Sequence, residues 1–292
     1  MSDKEVERRA GPAGSLFIIG GGLRSVSMMR AYIDLCGGVD APVVIVPFAS
    51  TTPVEQGERM KQEMQSLGCT HVTVLDRTLA SPSVDEVRSA AGIYFIGGDQ
   101  SRLRDCLTGT STLAAIRKAY ERGAVVGGTS AGAAVMSRVM LSGNELQNPG
   151  VVSPDEGDAI DAFSRIQLGN IETTEGFGFL EGCVVDQHFV RRKRENRLIS
   201  VVLEHPDLLG IGIDESTAII VAGGRFEVLG KSCVIVLDDA HATDVGIGRG
   251  GSLRCVGLTM HVLTEGQRFD LATRTVMPST RPQFASGEGG TI

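Results

Sequence analysis

The stretch VVGGTSAGAAVM, residues 125–136, decides the fold. Two β-branched residues lead into glycines, and Ser130 lies between Gly128 and Gly132 in a G-x-S-x-G arrangement. A run of small residues that favour a helix follows, so the stretch predicts a strand, a sharp turn and a helix. Such a turn holds its central residue in a cramped backbone conformation and projects the side chain from the end of the strand. Ser130 is therefore a candidate nucleophile, although a serine that caps the helix of an ordinary turn would give the same pattern.

Short apolar runs alternate with helical patterns on the N-terminal side of this turn. A run that is apolar at every position is typical of a strand buried on both faces of a parallel sheet. The predicted strands are Ser15–Ile19, Val43–Pro47, Val72–Leu75 and Ile93–Ile96, and the predicted helices are Ser25–Leu35, Pro53–Leu67, Val84–Ala91 and a helical pair that ends near Arg122. This alternation predicts an α/β fold with a doubly wound, mostly parallel sheet.

The C-terminal half has a different pattern. Short alternating strands at Phe226–Val228, Ser232–Leu237 and Leu253–Leu263 predict antiparallel edge strands. Residues 142–179 are rich in Gly, Pro, Asn and acidic residues, which predicts a long excursion with little regular structure. We expect one α/β domain over residues 1–292, with flexible tails at 1–14 and 278–292.

Composition excludes several classes of function. A formal net charge of -7 argues against a protein that binds nucleic acid through a general positive field. The six cysteines form no C-x-x-C pair, which predicts reduced thiols and no zinc site. No apolar run approaches the roughly 20 residues that span a bilayer. The charged first nine residues lack the pattern of a secretory signal, so the expected location is cytoplasmic, away from membranes.

A histidine and an acidic pair also follow predicted strands. His188 ends the apolar segment that begins at Val184, and Asp214 and Glu215 end the segment that begins at Leu208. A serine hydroxyl needs a base within hydrogen-bond reach, and that base needs an acid to orient it. The other four histidines have no glycine-rich site near them, so Ser130, His188 and Glu215 are the candidate triad. Their order along the chain differs from the Ser, acid, His order of α/β-hydrolases.

Two further features accompany this candidate triad. Gly97 and Gly98 follow the fourth predicted strand, whose carboxyl end meets the same sheet edge as Ser130. The Gly98 and Ala131 amides are therefore candidate oxyanion-hole donors, although glycines in such positions also serve ordinary turns. A basic run, residues 191–197, follows His188. Arginines grip carboxylates in a bidentate fork, whereas a solvated helix face is the ordinary alternative for such a run.

Taken together, these segments resemble the cyanophycinases, serine peptidases of family S51. The resemblance extends from Gly20 to Leu271. The segments that carry it, in chain order, are Gly97-Gly98-Asp99-Gln100, Gly128-Thr129-Ser130-Ala131-Gly132-Ala133, Asp186-Gln187-His188-Phe189, the arginines of the basic run, Gly212-Ile213-Asp214-Glu215-x-Thr217-Ala218, Met260-His261-Val262-Leu263 and Arg268-Phe269-Asp270-Leu271.

The resemblance implies a class I glutamine-amidotransferase-like fold, a homodimer, and hydrolysis of cyanophycin to β-aspartyl-arginine dipeptides. Cyanophycin is a poly-aspartate chain that carries arginine on each β-carboxyl group through an isopeptide bond. By position, Ser130 would be the nucleophile, His188 the base and Glu215 the orienting acid, with no metal or organic cofactor. The implied substrate contacts are Gln100, Asp186, Gln187, Arg192, Arg194 and Arg197.

Other functions stay open on the residues alone. An aspartyl dipeptidase of the same superfamily would act on small β-aspartyl or Asp-X peptides, whereas the basic run favours the polymer. A glutamine amidotransferase would have cysteine at position 130. A binding protein without catalysis could also use this fold, and it would leave Ser130 unreactive toward acylating or phosphonylating reagents.

Overall fold

A computed structural model describes residues 14–76, 82–146 and 165–278. The predicted tails therefore lie outside the described residues, apart from Gly14 and Pro278. The helices of the described part are α1 Val26–Leu35, α2 Pro53–Ser66, α3 Pro82–Ser89, α4 Gln100–Leu107, α5 Ser111–Glu121, α6 Ala131–Ala134 and α7 Glu195–Glu204. Its strands up to the basic run are β1 Ser15–Ile19, β2 Val43–Val46, β3 Val72–Val74, β4 Gly92–Phe95, β5 Val125–Thr129, β6 Val139–Glu145, β7 Ile171–Glu175 and β8 Cys183–Gln187. The later strands are β9 Leu209–Ile213, β10 Thr217–Ala222, β11 Arg225–Gly230, β12 Val234–Asp238, β13 Thr243–Ile247, β14 Leu253–Val256, β15 Thr259–Leu263, β16 Arg268–Asp270 and β17 Thr275–Val276.

The larger sheet has the strand order β17-β16-β11-β10-β1-β5-β4-β2-β3 within the described residues. Five neighbouring strands are parallel to one another, namely β1, β5, β4, β2 and β3. Strands β10, β11, β16 and β17 extend the sheet with antiparallel pairs. Along β1, Leu16 and Ile18 pack in the core on the side of α3 to α6, and Phe17 and Ile19 pack on the side of α1 and α2. Helices therefore cover both faces of the sheet, which confirms the predicted doubly wound α/β architecture.

A second sheet, of order β15-β12-β9-β8, carries the two segments that we predicted to present His188 and Glu215. β8 and β9 are parallel to each other, as expected, but they do not pair with the sheet that contains Ser130. Helix α7 packs on this smaller sheet through Leu198, Val201 and Val202. Each sheet thus supplies part of the candidate triad, and the site lies where strand ends of the two sheets meet.

The predicted excursion at 142–179 is wrong at both of its ends. β6 and β7 pair in an antiparallel ladder, with a register shift between Leu141 and Glu145. The glycine, asparagine and acidic residues of this segment have low β-propensity, so the sequence did not predict the ladder. Strand pairing and the burial of side chains such as Ile171 determine the structure here more than intrinsic propensity does. Residues 147–164, in the middle of the excursion, lie outside the described residues.

All six cysteines lie in the described part of the chain, and all are free thiols, as expected. Among the described residues, no helix combines the length and apolar character that crossing a membrane requires.

Candidate active site

The turn after β5 holds Ser130 in a strained backbone conformation. Its φ of 53° and ψ of −112° lie in a region that residues with a Cβ seldom occupy. The backbone approaches itself closely here, since a Cβ at position 128 would lie 2.4 Å from the Gly132 carbonyl oxygen. A Cβ at position 132 would in turn lie 2.5 Å from the Phe95 carbonyl oxygen. The two flanking glycines are therefore sterically required, which distinguishes this turn from an ordinary helix cap.

The loop of three glycines after β1, residues 20–22, contacts the segments that carry His188 and Glu215. The Gly20 carbonyl accepts a hydrogen bond of 2.7 Å from the His188 amide, and the Gly21 carbonyl accepts one of 2.9 Å from the Ser216 amide. Both amides belong to residues with positive φ, His188 at 49° and Ser216 at 54°. The loop therefore fixes two unusual backbone turns beside the serine.

Ser130, His188 and Glu215 form a continuous chain of hydrogen bonds. The His188 Nε2 lies 3.0 Å from the Ser130 Oγ, and the His188 Nδ1 lies 2.6 Å from the Glu215 Oε1. The His188 side chain is only 10% exposed, whereas the Glu215 side chain is 31% exposed. With the Nδ1 proton held by the carboxylate, Nε2 carries the lone pair that faces the serine hydroxyl.

The pKa of His188 lies below its ordinary value of 6.5. Burial is the largest cause, the hydrogen bond to Glu215 opposes it, and the positive charges of Arg192 and Arg194 lower the pKa further. A lowered pKa keeps the imidazole neutral at neutral pH, which is the state that can accept a proton.

The two predicted oxyanion donors, the Gly98 and Ala131 amides, belong to the turns after β4 and β5. A Cβ at Gly97 would lie 3.4 Å from the Ser130 Cβ, so the segment Gly97-Gly98 runs beside the hydroxyl. Gly98 has a φ of 140°, and a Cβ there would lie 2.3 Å from the Ala49 carbonyl oxygen. Ala131 is the first residue of α6, where an N–H group has no partner within the helix. These positions are compatible with the predicted pair of oxyanion donors.

Gln100 stays a prediction as a substrate contact. Its side chain is buried, and its Nε2 donates hydrogen bonds of 3.0 Å to the Leu141 carbonyl and 2.5 Å to the Ser142 carbonyl. The amide thus joins the start of α4 to β6.

Asp186, Arg194 and Arg197 also stay predictions as substrate contacts, and in the structure they form a buried cluster. Asp186 and Arg197 are each 1% exposed, and Arg197 forms a bidentate pair with Asp186 through Nε and a second guanidinium nitrogen. Arg194 is buried beside them and donates a 2.7 Å hydrogen bond to the Gln187 carbonyl. A buried carboxylate needs such partners because water does not reach it. This cluster supports the end of β8 from inside, directly before His188.

Replacement of Arg197 by Met is expected to lower the free energy of unfolding by about 3–5 kcal/mol, because it leaves the buried Asp186 carboxylate without its bidentate partner. Urea unfolding of purified protein measures this change. The matched control is Arg225→Met, since the Arg225–Asp270 pair has its arginine 59% exposed. An exposed pair contributes about 0–1 kcal/mol, so equal losses in the two variants would contradict a stabilising role for the buried cluster.

Gln187 and Arg192 stay predictions as substrate contacts. Gln187 is buried, and its Oε1 has no hydrogen-bond partner within the described residues. Arg192 is half-buried, and its amide donates a 2.9 Å hydrogen bond to the His188 carbonyl.

A cleft of about 640 Å³ opens beside Ser130 and His188. Its lining includes Ser130, His188, Gly21 and Gly97, together with residues of α2 and of the start of α1. Concave sites of this size, with a few polar groups that converge on one point, are typical of substrate-binding sites.

The sequence analysis assigned no role to Gly20, Gly21 and Gly22. A Cβ at Gly21 would lie 2.3 Å from the His188 Cε1, and one at Gly22 would lie 2.8 Å from the Glu215 Cβ. The signal was present, since three consecutive glycines follow β1, the neighbour of the strand that carries Ser130. The register of β8 and β9 against this loop was not available from the sequence.

Comparison with known proteins gives a family match and several relatives. The model of peptidase family S51 matches residues 16–229. A cyanophycinase from Trichormus variabilis is 33% identical over 297 aligned residues, which cover 96% of this chain and 93% of the relative. A cyanophycinase from Nostoc sp. has the same identity and coverage. One from Synechococcus elongatus is 32% identical over 94% of this chain and 84% of its own length.

Two solved structures share the fold. A peptidase from an acI-B1 Actinobacterium superposes with a TM-score of 0.60 at 24% identity, covering 88% of this chain and 96% of that one. A putative peptidase E protein from Listeria monocytogenes EGD-e gives a TM-score of 0.50 at 20% identity, covering 75% and 99%. These likenesses confirm the predicted class I glutamine-amidotransferase-like fold.

Proposed function

This chain belongs to peptidase family S51 and is a serine peptidase, and we propose that it hydrolyses cyanophycin to β-aspartyl-arginine dipeptides through a Ser-His-Glu triad. The observation that carries the proposal is the hydrogen-bonded chain from Ser130 through His188 to Glu215. Relatives named cyanophycinase, similar over almost the whole chain, support the substrate.

In the proposed mechanism, the Ser130 Oγ attacks a backbone carbonyl of the aspartate chain while the His188 Nε2 takes its proton. The Gly98 and Ala131 amides stabilise the oxyanion of the tetrahedral intermediate. His188 then gives the proton to the leaving amine, and an acyl-enzyme on Ser130 remains. Water, activated by the same imidazole, releases the acyl group. Glu215 holds the imidazole in the correct tautomer and stabilises its positive form.

The direct test is incubation of the purified protein with cyanophycin, followed by mass analysis of the soluble products. Release of β-aspartyl-arginine dipeptide is the expected result. Turnover of small Asp-X peptides in the absence of any product from the polymer would instead favour an aspartyl dipeptidase.

The pH dependence of kcat/KM is expected to report the lowered pKa of His188. Activity requires the neutral imidazole, so the acid limb of the profile should lie below pH 6.5, the ordinary histidine value. Replacement of Arg192 by Ala removes a positive charge that lowers this pKa, so the acid limb should move to higher pH. Rate measurements from pH 4 to 9 check both statements.

Arg191→Ala is the control for this shift, because Arg191 is exposed and does not contribute to the pKa of His188. Both variants remove one positive charge from the same loop. If Arg192→Ala and Arg191→Ala move the acid limb equally, the shift comes from the net charge of the loop rather than from a charge close to His188.

A further inference from the structure

One face of helix α2 lines the same cleft as Ser130 and His188. The lining residues recur at the spacing of a single helical face, and they are Gln56, Arg59, Met60, Glu63, Ser66 and Leu67. Gly57 lets the helix lie close against the sheet, since a Cβ there would be 2.4 Å from the Val74 Cγ1. The side chains of this face are therefore presented to the cleft from a fixed element.

The cleft lining includes Asp, Glu, Lys or Arg side chains at three positions, which are Arg24, Arg59 and Glu63. The Arg24 guanidinium contacts the Glu63 carboxylate at 2.7 Å and 3.4 Å. The two side chains are 26% and 32% exposed, so solvent reaches both. The pair is thus partly buried, and both of its residues line the substrate-sized cleft.

We infer that Arg24, Arg59 and Glu63 form a subsite that binds the arginyl branch of a β-aspartyl-arginine unit. The inference rests on the proposed function. That branch ends in a guanidinium cation and carries a free α-carboxylate on the same residue. Glu63 accepts hydrogen bonds from the guanidinium, and Arg24 and Arg59 bind the carboxylate. The cleft thus selects the side chain of the polymer as well as its backbone.

The test compares two dipeptides that differ only in charge at the end of the branch. β-Aspartyl-citrulline has an uncharged urea where β-aspartyl-arginine has the guanidinium. Binding to the full-length Ser130→Ala variant is measured by calorimetry, with and without Glu63→Gln. We expect Glu63→Gln to weaken binding of the arginine dipeptide about 10- to 100-fold, the range of a charge-assisted hydrogen bond, and to leave citrulline binding nearly unchanged.

Glu58→Gln is the matched control, since Glu58 lies exposed on α2 and does not line the cleft. Arg59→Gln should weaken binding of both dipeptides, because both carry the carboxylate, whereas Lys61→Gln on the same helix should weaken neither. If Glu63→Gln keeps the arginine preference of its parent, or if the parent has none, the subsite is overturned. A different pair of results separates the two proposals. If the Ser130→Ala variant prefers the arginine dipeptide but the unmutated protein releases no dipeptide from cyanophycin, the proposed function is overturned and the subsite is not.

Discussion

Replacement of Ser130 by Ala is expected to lower kcat for cyanophycin hydrolysis by about 10⁴- to 10⁶-fold. The variant lacks the oxygen that forms the acyl-enzyme, while the backbone amides and the cleft that bind substrate remain. Ala is also compatible with the packing, because the Ser130 hydroxyl faces the His188 Nε2 at 3.0 Å rather than the core. Initial rates with purified polymer measure the loss.

The control for this variant is Ser89→Ala, which removes an exposed hydroxyl on α3. It should keep the rate of the unmutated protein. Polymer binding by Ser130→Ala, measured by co-sedimentation with insoluble cyanophycin, should persist because the binding groups are intact. Hydrolysis by Ser130→Ala near the unmutated rate would show that the nucleophile is another group.

The parallel half of the larger sheet was predictable because its strands are apolar on both faces. Val43–Val46 is buried at every position, which no alternating amphipathic strand would allow. The turn at Ser130 was predictable for a related reason, since only glycine tolerates the backbone contacts at positions 128 and 132. Both features follow from local sequence and simple steric rules.

Pairing between distant segments was not predictable in the same way. β8 and β9 are as apolar as the strands of the larger sheet, and nothing in their sequence says which neighbours they pair with. The pairing of β6 with β7 was unpredictable for the same reason, because their ladder joins segments about 30 residues apart. Register across such separations depends on tertiary packing rather than on local preference.

The basic run shows how one residue type can serve two purposes within seven residues. Arg191 is exposed, as the ordinary interpretation of a basic run expects, whereas Arg197 is buried against Asp186. Asp186 is the deciding partner, and it lies at the end of β8, eleven positions before Arg197. Identifying that pair requires knowing that α7 returns over the smaller sheet. The candidate triad needed less information, because its members were expected at strand ends.

Replacement of Gly21 by Ala is expected to lower kcat by about 10²- to 10³-fold without removing any catalytic group. The new Cβ would lie 2.3 Å from the His188 Cε1 and 2.4 Å from its Nε2, far inside van der Waals contact. The imidazole must move by about 1 Å or more, and a displacement of that size in a catalytic group costs about 100-fold. The hydrogen bonds from His188 to Ser130 and Glu215 cannot both survive this movement.

The control for Gly21→Ala is Gly123→Ala, which separates the clash from backbone strain. Gly21 and Gly123 have similar φ values, 105° and 112°, but a Cβ at Gly123 meets nothing within 4 Å. Both variants should therefore lose free energy of unfolding from the unfavourable φ, and Gly21→Ala should lose more because its Cβ also displaces His188; urea unfolding measures both losses. Only Gly21→Ala should lose activity, because only its Cβ occupies the space of the imidazole. Equal activity in the two variants would mean that the loop of three glycines serves the backbone alone and does not position His188.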